Sequence, residues 1–404
     1  MDRIKMTAPI VEIDGDEMAR VVWKMIREEL LLPFVDLNTE YYDLSIMNRE
    51  RTCDQITIDA GQALIRHKIG VKCSTVTPTV QRMREYPLSR MWKSPNGTIR
   101  ALLDGTVFRK PILIGCIQPL VRNWKKPITV ARHAFGDIYH GTEWRITGVE
   151  KAELVLTDRQ GQTVRRTIRD FDDPGMVQCI FNEDRSIASF AHACFQYAIA
   201  SEQDLLFSAK DTISKTYDAG FRDLFQSIYE TFYREEFLRL GISYVYRMID
   251  DAVAKTVQSE GGFIWALKNY DGDVMSDLVA GAFGSPALMT SVLCSPNGEY
   301  LFESAHGTVK RHYNQYLKTG EIRINPIAMV FSWTGALKKR GTADGNPKLI
   351  DFSRMLEESC IETVNNGIMT ADLANLIEGK MLSLVSTGEY IRAVYNCLNQ
   401  KLTR

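Results

Sequence analysis

The stretch TAPIVEIDGDEMARVVWKMIREELLLP, residues 7–33, decides the fold class. Its first part, Thr7–Asp14, is short, apolar and followed by a Gly-Asp pair, which predicts a β-strand. After Gly15-Asp16, apolar residues recur at helical spacing until Pro33, which predicts a helix. The apolar positions are Met18, Val21, Val22, Met25 and Ile26. A strand, a short loop and a helix in succession are typical of layered α/β proteins.

A second unit follows in reverse order. A helical run over about Ile58–Lys68 is predicted to stop at Gly70, and the β-branched stretch Val71–Thr77 is predicted to be a strand. Much later, Asn325-Pro326 is expected to start another helix. No G-x-G-x-x-G motif follows the first strand, so a Rossmann dinucleotide-binding domain is disfavoured. We therefore expect a layered α/β fold of another kind.

The middle of the chain has a different pattern. Residues Lys151–Arg169 alternate apolar and polar side chains around Asp158-Arg159-Gln160-Gly161, which predicts a hairpin inside an inserted β-rich segment. Strands are expected at Asp204–Ala209 and Ile242–Ile249. The helices around them have apolar faces formed by Ile187, Phe190, Ala191 and Cys194, and by Phe221, Leu224, Phe225, Ile228 and Phe232.

Composition limits the class of function. The chain has 404 residues, of which 45% are hydrophobic, so it exceeds a single domain of roughly 100–200 residues. A formal net charge of -1 provides no positive field to attract nucleic acid or anionic membranes. The first 17 residues carry no apolar targeting run, and the eight cysteines form no C-x-x-C pair. We expect a soluble protein of the reducing cytoplasm, without nucleic-acid or membrane partners.

Carboxylates cluster at two predicted strand-to-helix junctions. Asp273 and Asp277 are four residues apart, so both project from one side of the first turn if a helix begins at Val274. Asp250-Asp251 opens another helix. Such carboxylates supply the hard oxygen ligands that Mg²⁺ or Mn²⁺ prefers. The alternative is that Asp273 only caps its helix and Asp277 only favours the helix dipole.

Basic and polar side chains precede a predicted helix start at Ile99. Ser94, Asn96 and Arg100, together with free N–H groups, suit an anion there. Two more arginines, Arg109 and Arg132, lie near the ends of strands predicted at Thr106–Phe108 and Ile128–Ala131. Three guanidinium groups suit a polycarboxylate, although each one alone is more often a surface charge.

A third group of residues suits phosphates and protons. The turn Ala305–Val309 is followed by Lys310, Arg311 and His312, an arrangement that favours phosphate binding but also occurs on solvated surfaces. Tyr139 and Lys210 can transfer protons if burial or charge lowers their pKa values.

Several segments together resemble the isocitrate dehydrogenase family, in particular its homodimeric NADP-dependent branch. They are Val11–Met18, Gly70–Cys73, Trp92–Arg100, Ser259–Ala266, Asn269–Asp273 and Ala305–Val309. They occur in order and span almost the whole chain. The resemblance implies a three-layer αβα fold that is not Rossmann, with a large domain (1–103 and 285–404), a small domain (104–136 and 185–284) and a β-rich clasp (137–184) that pairs with its copy.

The resemblance also implies a reaction, the oxidative decarboxylation of isocitrate to 2-oxoglutarate with NADP and Mg²⁺ or Mn²⁺. Asp273 and Asp277 would bind the metal, with Asp250 arriving from the partner subunit. Lys210, also from across the interface, would assist removal of the hydroxyl proton, and Tyr139 would help protonate the product carbon. The residues implied to bind the carboxylates of isocitrate are Thr77, Ser94, Asn96, Arg100, Arg109 and Arg132.

For NADP, Arg311 and His312 resemble the residues that bind the 2′-phosphate. The rest of the dinucleotide is implied to contact Lys72, Thr75, Thr77, Arg82, Gly307, Thr308, Val309, Lys310 and Asn325. This chain departs from the branch at Gln258, where the partner subunit commonly offers a lysine; Lys255, one turn earlier, is the candidate substitute.

Three alternatives stay open at this point. The first is a related β-decarboxylating dehydrogenase acting on homoisocitrate, isopropylmalate or tartrate. The second is a metal-dependent lyase without nicotinamide. The third is a non-enzymatic protein that binds RNA or a metabolite through the basic turn at residues 310–312.

Overall fold

The computed structural model describes residues 3–377 and 383–403. The strands are, in chain order, β1 Ile4–Lys5, β2 Ile10–Asp14, β3 Val35–Asp36, β4 Thr39–Asp43, β5 Ile69–Lys72, β6 Thr106–Pro111, β7 Thr129–His133, β8 Thr142–Ile146, β9 Glu150–Thr157, β10 Thr163–Phe171, β11 Gly175–Cys179, β12 Asp204–Ala209, β13 Tyr244–Met248, β14 Phe263–Leu267, β15 Met289–Cys294, β16 Tyr300–Ser304, β17 Ile368–Met369 and β18 Ser383–Leu384.

The α-helices lie between these strands and after them. They are α1 Glu17–Ile26, α2 Ile46–Arg51, α3 Gln55–His67, α4 Val80–Glu85, α5 Pro95–Leu103, α6 Asp184–Ser201, α7 Tyr217–Ile228, α8 Arg234–Leu240, α9 Ile249–Gln258, α10 Asn269–Ala282, α11 Lys310–Thr319, α12 Ile327–Ala343, α13 Pro347–Asn365, α14 Ala371–Ala374 and α15 Thr387–Leu402. Two π-helical turns, Arg27–Leu31 and Tyr229–Tyr233, continue α1 and α7. None of the described helices is both long enough and apolar enough to span a bilayer.

Ten strands form one mixed sheet in the order β13-β12-β14-β7-β6-β15-β16-β5-β2-β4. Its two outer parts are parallel, whereas β7, β6, β15 and β16 pair antiparallel at the centre. Parallel strands need helices on both faces, because their side chains are apolar on both sides. The mixed sheet and its many helices therefore confirm the predicted layered α/β class.

Two apolar cores flank the sheet. In the first, Met18, Val22 and Ile26 of α1 are fully buried, and Trp23 packs against Trp333 of α12 with ring centroids 5.0 Å apart. The predicted periodicity of α1 is therefore the buried face of a helix. The second core is aromatic and lies under α6 and α7, where the rings of Phe207 and Phe225 stack 4.1 Å apart.

The β-rich segment consists of two small antiparallel sheets, β9 with β10 and β8 with β11. The hairpin predicted around residues 158–161 is confirmed, because Thr157 pairs with Thr163 across that turn. Apolar side chains of this segment are widely exposed, including Trp144 at 69% and Met176 at 75%.

The prediction around Gly70 was wrong in one respect. Helix α3 ends at His67 because Lys68 adopts a left-handed conformation with φ of 67°. Gly70 lies instead inside β5, where a Cβ atom would stand 2.3 Å from a methyl carbon of Leu64. The glycine permits close packing in the strand rather than ending the helix. The strand itself ends at Lys72, so residues 73–77 form a loop and not the predicted strand.

Several other predicted bounds also shift. Strand β2 begins at Ile10 rather than Thr7, and β13 covers Tyr244–Met248 only. Phe232 was predicted on the buried face of α7 but is 65% exposed. It lies in the π-helical turn Tyr229–Tyr233, whose wider turn moves it off the apolar face.

The bounds near the predicted site differ as well. Arg109 lies inside β6 and Arg132 inside β7, not at the ends of shorter strands. Helix α5 begins at Pro95, before the predicted start at Ile99, because Pro is favoured in the first helical turn. Helix α10 begins at Asn269 and not at Val274, so Asp273 does not cap it. Helix α9, with Asp250 and Asp251 in its first turn, and α12, which follows Pro326, are confirmed.

Candidate active site

Helix α10 packs directly on β7, and this contact brings Asp273 to Arg132. Gly272 makes the approach possible, because a Cβ atom there would lie 2.8 Å from the Cβ of Arg132. Asn269, at the start of α10, accepts a hydrogen bond of 2.8 Å from Nε of Arg132 and donates one of 3.2 Å to the carbonyl of Gly136. The sequence therefore fixes one face of α10 against the strand that carries the arginine.

Arg132, Asp273 and Tyr139 form one cluster. The Nη1 of Arg132 donates to Oδ1 of Asp273, and the Tyr139 hydroxyl donates to Oδ2 of the same carboxylate at 2.5 Å. The guanidinium group of Arg132 also lies over the Tyr139 ring, 4.7 Å from its centroid. The structure thus brings together a predicted substrate residue, a predicted metal ligand and a predicted catalytic residue.

Arg109 connects the two predicted metal ligands of α10. Its Nη1 donates to Oγ of Ser276 at 2.7 Å and lies 3.4 Å from Asp277 and 3.6 Å from Asp273. Its Nε atom is buried without a hydrogen-bond partner. Asp273 and Asp277 are four residues apart, so they lie on the same side of α10. The single guanidinium group of Arg109 therefore reaches both carboxylates.

Arg100 and Lys72 share a buried acid, Glu303. Nη2 of Arg100 donates to Glu303 at 2.9 Å, and Nζ of Lys72 lies 3.8 Å from its other carboxylate oxygen. Nζ of Lys72 also donates to the Cys73 carbonyl at 2.9 Å. Glu303 thus provides counter-charge for the third predicted substrate arginine.

Burial and mutual charge set the ionisation of this cluster. Burial lowers the pKa of Arg132 to about 10, with the positive charge of Arg100 acting in the same direction. Burial would raise the pKa of Asp273, but the charges of Arg132, Arg109 and Arg100 and the hydrogen bond from Tyr139 together outweigh it, so the pKa of Asp273 is lowered. The condition of a lowered pKa is not met at Tyr139, because burial and the hydrogen bond to Asp273 raise the pKa of Tyr139 to about 12. The phenol therefore keeps its proton at neutral pH.

The other predicted catalytic pair lies apart from this cluster in sequence and in its contacts. Nζ of Lys210 lies 2.7 Å from Oδ1 of Asp250, and the hydrogen bond from Lys210 lowers the pKa of Asp250. Within residues 3–377 and 383–403, no group of three or more Asp, Glu, His or Cys side chains is arranged to hold a metal ion. Within one chain, Arg109 therefore contacts both Asp273 and Asp277, whereas Asp250 pairs with Lys210 instead.

The predicted cofactor turn is held by an acid that the sequence analysis did not select. Glu17 accepts hydrogen bonds from Nη1 of Arg82 at 2.5 Å and from Oγ1 of Thr308 at 2.5 Å. Lys310 pairs with Glu85. Val309 adopts a left-handed conformation with φ of 58° and ends the turn where α11 begins.

The remaining predicted residues are placed as follows. Oγ1 of Thr75 and Oδ1 of Asn96 are buried without hydrogen-bond partners, and Ser94 is half-buried at the start of α5. Asn325 donates to the Ala287 carbonyl at 3.1 Å and accepts from the Ile327 amide at 2.9 Å. Gly307, Thr77, Arg311, Lys255 and Gln258 are exposed, and His312 is half-buried.

Four residues with direct contacts to the site were missed by the sequence analysis: Glu17, Asn269, Ser276 and Glu303. Asn269 and Ser276 flank the selected acids on α10, so their position was a usable signal. Glu303 lies in β16, and only the order of strands in the sheet brings it to Arg100. No sequence signal reveals that pairing.

The residues present fit a divalent cation and an anionic dinucleotide. Asp273 and Asp277 supply hard oxygen atoms, and the latter side chain is 69% exposed and accessible to a cation. Buried polar atoms normally have partners, so the unpartnered Thr75 Oγ1, Asn96 Oδ1 and Arg109 Nε are suited to bound ligands. With its buried arginines, the site suits an anionic substrate.

Comparisons with known proteins agree with this chemistry. Residues 5–394 match the sequence model of a protein family, isocitrate/isopropylmalate dehydrogenase. The chain is 49% identical over 403 residues to "Isocitrate dehydrogenase [NADP], mitochondrial" of Aspergillus niger, covering 99% of this chain and 81% of the relative. It is 48% identical over 390 residues to the protein of the same name from Sus scrofa, covering 96% and 92%. It is 48% identical over 398 residues to "Isocitrate dehydrogenase [NADP], chloroplastic/mitochondrial" of Arabidopsis thaliana, covering 97% and 82%. The chain therefore belongs to the isocitrate/isopropylmalate dehydrogenase family.

Proposed function

We infer that this chain is an NADP-dependent isocitrate dehydrogenase, which converts isocitrate and NADP⁺ to 2-oxoglutarate, CO₂ and NADPH and requires a divalent cation. The observation that carries the inference is the cluster in which Arg132, Tyr139 and Arg109 all contact Asp273 or Asp277. Substrate arginines, metal-type carboxylates and a proton donor are the parts that this reaction needs. The names of the relatives support the same activity.

We propose that the arginines change partner when substrate binds. Arg100, Arg109 and Arg132 are now paired with acids of the same chain. Once a cation neutralises the carboxylates of Asp273 and Asp277, Arg109 and Arg132 are free to bind substrate carboxylates bidentately. Thr77, Ser94 and Asn96 would complete the binding of isocitrate.

When bound, Mg²⁺ or Mn²⁺ would withdraw electron density from the substrate oxygens. The nicotinamide ring would supply the acceptor for the hydride of substrate carbon C2. Lys210, hydrogen-bonded to Asp250, would assist removal of the hydroxyl proton. The carboxyl group β to the new ketone leaves as CO₂. The phenol of Tyr139, with its pKa raised to about 12 by burial and by Asp273, would donate the proton to the carbon that lost CO₂.

We propose that the dinucleotide lies along the turn at residues 307–309. Its 2′-phosphate would contact Arg311 and His312 on the first turn of α11, where Lys310 adds a further basic side chain. Lys255 and Gln258 would approach from the partner subunit. The remaining contacts would come from Lys72, Thr75, Thr77, Arg82, Gly307, Thr308, Val309 and Asn325.

We further propose a homodimer with shared active sites, in which Asp250 and Lys210 complete the partner's metal and proton sites. The exposure of Trp144 at 69% and Met176 at 75% supports pairing of the segment 137–184 with its copy, because large exposed apolar side chains mark interfaces. The division into a large domain (1–103 and 285–404), a small domain (104–136 and 185–284) and this clasp is part of the same proposal. Neither nucleic acid nor a membrane is a proposed partner.

We propose the cytoplasm as the compartment. The eight cysteines are free, as in a reducing environment. The relatives named above are mitochondrial or chloroplastic, so an organelle matrix is the alternative. Fractionation of cells followed by an activity assay distinguishes the two.

One assay tests the proposed function. Initial rates are measured with isocitrate, homoisocitrate, isopropylmalate and tartrate, with NADP⁺ or NAD⁺, and with Mn²⁺ or a chelator. We expect reduced-nicotinamide absorbance with isocitrate, NADP⁺ and Mn²⁺, and its loss with the chelator. Equal kcat/KM for isopropylmalate would overturn the substrate, and substrate cleavage without nicotinamide reduction would indicate a lyase.

A further inference from the structure

A continuous chain of polar side chains links three segments near the proposed dinucleotide site. Its members, which we name the loop clamp, are Thr308, Glu17, Arg82, Glu85 and Lys310. Thr308 and Lys310 belong to the turn and to α11, Arg82 and Glu85 to α4, and Glu17 to α1. Glu17 and Thr308, 291 positions apart, are thus joined through the buried carboxylate of Glu17.

Glu17 is the centre of the loop clamp. Its side chain is 3% exposed, and both of its oxygens are used. Oε1 accepts from Nη1 of Arg82 at 2.5 Å and from the Tyr86 hydroxyl at 3.2 Å, and Oε2 accepts from Nη2 of Arg82 at 3.2 Å and from Thr308 at 2.5 Å. This is a bidentate arginine pair with two further donors.

The backbone at Glu17 is strained. Its φ is +55°, in the left-handed region that favours glycine and tolerates other residues at a cost. Such a conformation persists only where contacts of the surrounding structure fix it. Here the only functional group of the side chain is the carboxylate that holds Arg82 and Thr308.

The contacts also fix which groups face the cofactor. Burial would lower the pKa of Arg82, but the hydrogen bonds and charges of Glu17 and Glu85 together outweigh it and the pKa of Arg82 is raised. The hydroxyl hydrogen of Thr308 is directed to Glu17, and the Thr308 carbonyl accepts from the Ala19 amide at 3.3 Å. Both oxygens of Thr308 are thus bound to residues of α1, which holds the turn against that helix.

We propose that Glu17 is a positioning residue for the dinucleotide, which holds Arg82 and the turn at Thr308 at a fixed separation without touching the cofactor. This inference rests on the proposed function, because it takes Arg82 and the turn as cofactor contacts. It predicts that loss of the carboxylate weakens NADP binding and leaves isocitrate binding almost unchanged, since Arg100, Arg109 and Arg132 have other partners.

The test compares Glu17→Gln and Glu17→Gly with the wild type and with Glu28→Gln. Glu28 is a matched control, because it is an exposed acid on the same helical run that forms a long surface ion pair with Lys24 at 3.8 Å. NADPH binding is measured by fluorescence titration of the full dimer, together with KM for NADP⁺ and for isocitrate and the thermal midpoint.

In Glu17→Gln, we expect the Kd for NADPH and the KM for NADP⁺ to rise about 10-fold, as for loss of a charge-assisted hydrogen bond, with KM for isocitrate within about 2-fold. In Glu17→Gly, the backbone strain is relieved but the carboxylate is gone, so NADPH binding should weaken at least as much. Glu28→Gln should bind NADPH like the wild type.

Three outcomes would contradict the proposal or its basis, and they are distinguishable. Wild-type NADPH affinity in Glu17→Gly would show that the carboxylate is not needed. Equal loss of NADPH and isocitrate binding, with a lowered thermal midpoint, would indicate a purely structural role and overturn the positioning role. Absence of NADPH binding and of activity in the wild type would instead reject the proposed function.

Discussion

Asp273 in the proposed catalytic cluster and Glu17 in the loop clamp both pair with arginines, but their surroundings differ. The side chain of Asp273 is 35% exposed and that of Asp277 69%, whereas that of Glu17 is 3% exposed. An exposed acid can exchange its guanidinium partner for a cation, because water still reaches it. A buried acid cannot, since removal of one partner leaves an uncompensated charge. Exposure therefore separates acids that react with ligands from acids that hold residues in place.

The largest expected effect is at Asp273, the more accessible of the two compared acids. Asp273→Asn should lower kcat by about 1,000-fold or more, because a neutral amide weakens the cation site that stabilises charge in the reaction. The fold should persist, and Mn²⁺ should no longer raise the thermal midpoint. Asp223→Asn, an exposed acid on α7 that pairs with Arg222, is the control and should keep wild-type kinetics. An unchanged Mn²⁺ titration in Asp273→Asn would exclude this aspartate as a metal ligand.

The next effect is at its arginine partner. Arg132→His should lower kcat/KM for isocitrate by about 100-fold, because the shorter imidazole cannot form the bidentate pair. Arg122→His, at an exposed loop position, provides the comparison. Steady-state kinetics at saturating NADP⁺ measure the change, and wild-type kcat/KM in Arg132→His would argue against an arginine clamp.

Acidification should lower the free energy of unfolding through His133, which neighbours Arg132 in β7. Burial lowers the pKa of His133 to about 3, and its Nε2 lies 2.8 Å from Oγ of Ser186. The ordinary pKa of a histidine is about 6.5, so below that pH the ring is protonated in the unfolded chain but stays neutral in the folded protein. The free energy of unfolding therefore falls as the pH falls from 6.5 to 3. The loss should reach about 2 kcal/mol at pH 5.

Urea unfolding at pH 7 and pH 5 checks this prediction. The free energy of unfolding should fall less with pH in His133→Gln than in the wild type, since that variant lacks the titrating ring. Equal pH dependence of the two proteins would show that His133 does not contribute.

The smallest effect is expected at the exposed end of the loop clamp. Glu85→Gln removes the ion-pair partner of Lys310, and that acid is 33% exposed. Exposed ion pairs contribute little, so KM for NADP⁺ should fall by less than about 3-fold as Lys310 becomes available to phosphate. The change should vanish at high salt. A large rise in KM for NADP⁺ would mean that Glu85 positions the turn as Glu17 does.

The sequence predicted the local parts of this molecule better than the long-range ones. The α/β class, the hairpin at residues 158–161 and the helix after Pro326 follow from periodicity and turn residues, and they are confirmed. Gly70 was misassigned because a glycine that permits packing in a strand looks the same in sequence as one that ends a helix. The helix start at Asn269 was missed because its polar first turn has no apolar periodicity.

The candidate site was predictable in its residues but not in its pairings. Asp273 and Arg132 were selected separately, and the contact between α10 and β7 joins them. Glu303 and Glu17 were missed, because strand order and a positive φ set their partners and neither can be deduced from spacing. Burial also raises the pKa of Tyr139, and the sequence alone does not reveal how deeply that side chain is buried.

The most direct test of the account is calorimetric titration of isocitrate into the protein with and without Mn²⁺. If Arg109 and Arg132 are released from Asp273 and Asp277 when a cation binds, isocitrate should bind about 100-fold more tightly with Mn²⁺ than with a chelator. Equal affinity under both conditions would contradict the exchange of partners in the catalytic cluster.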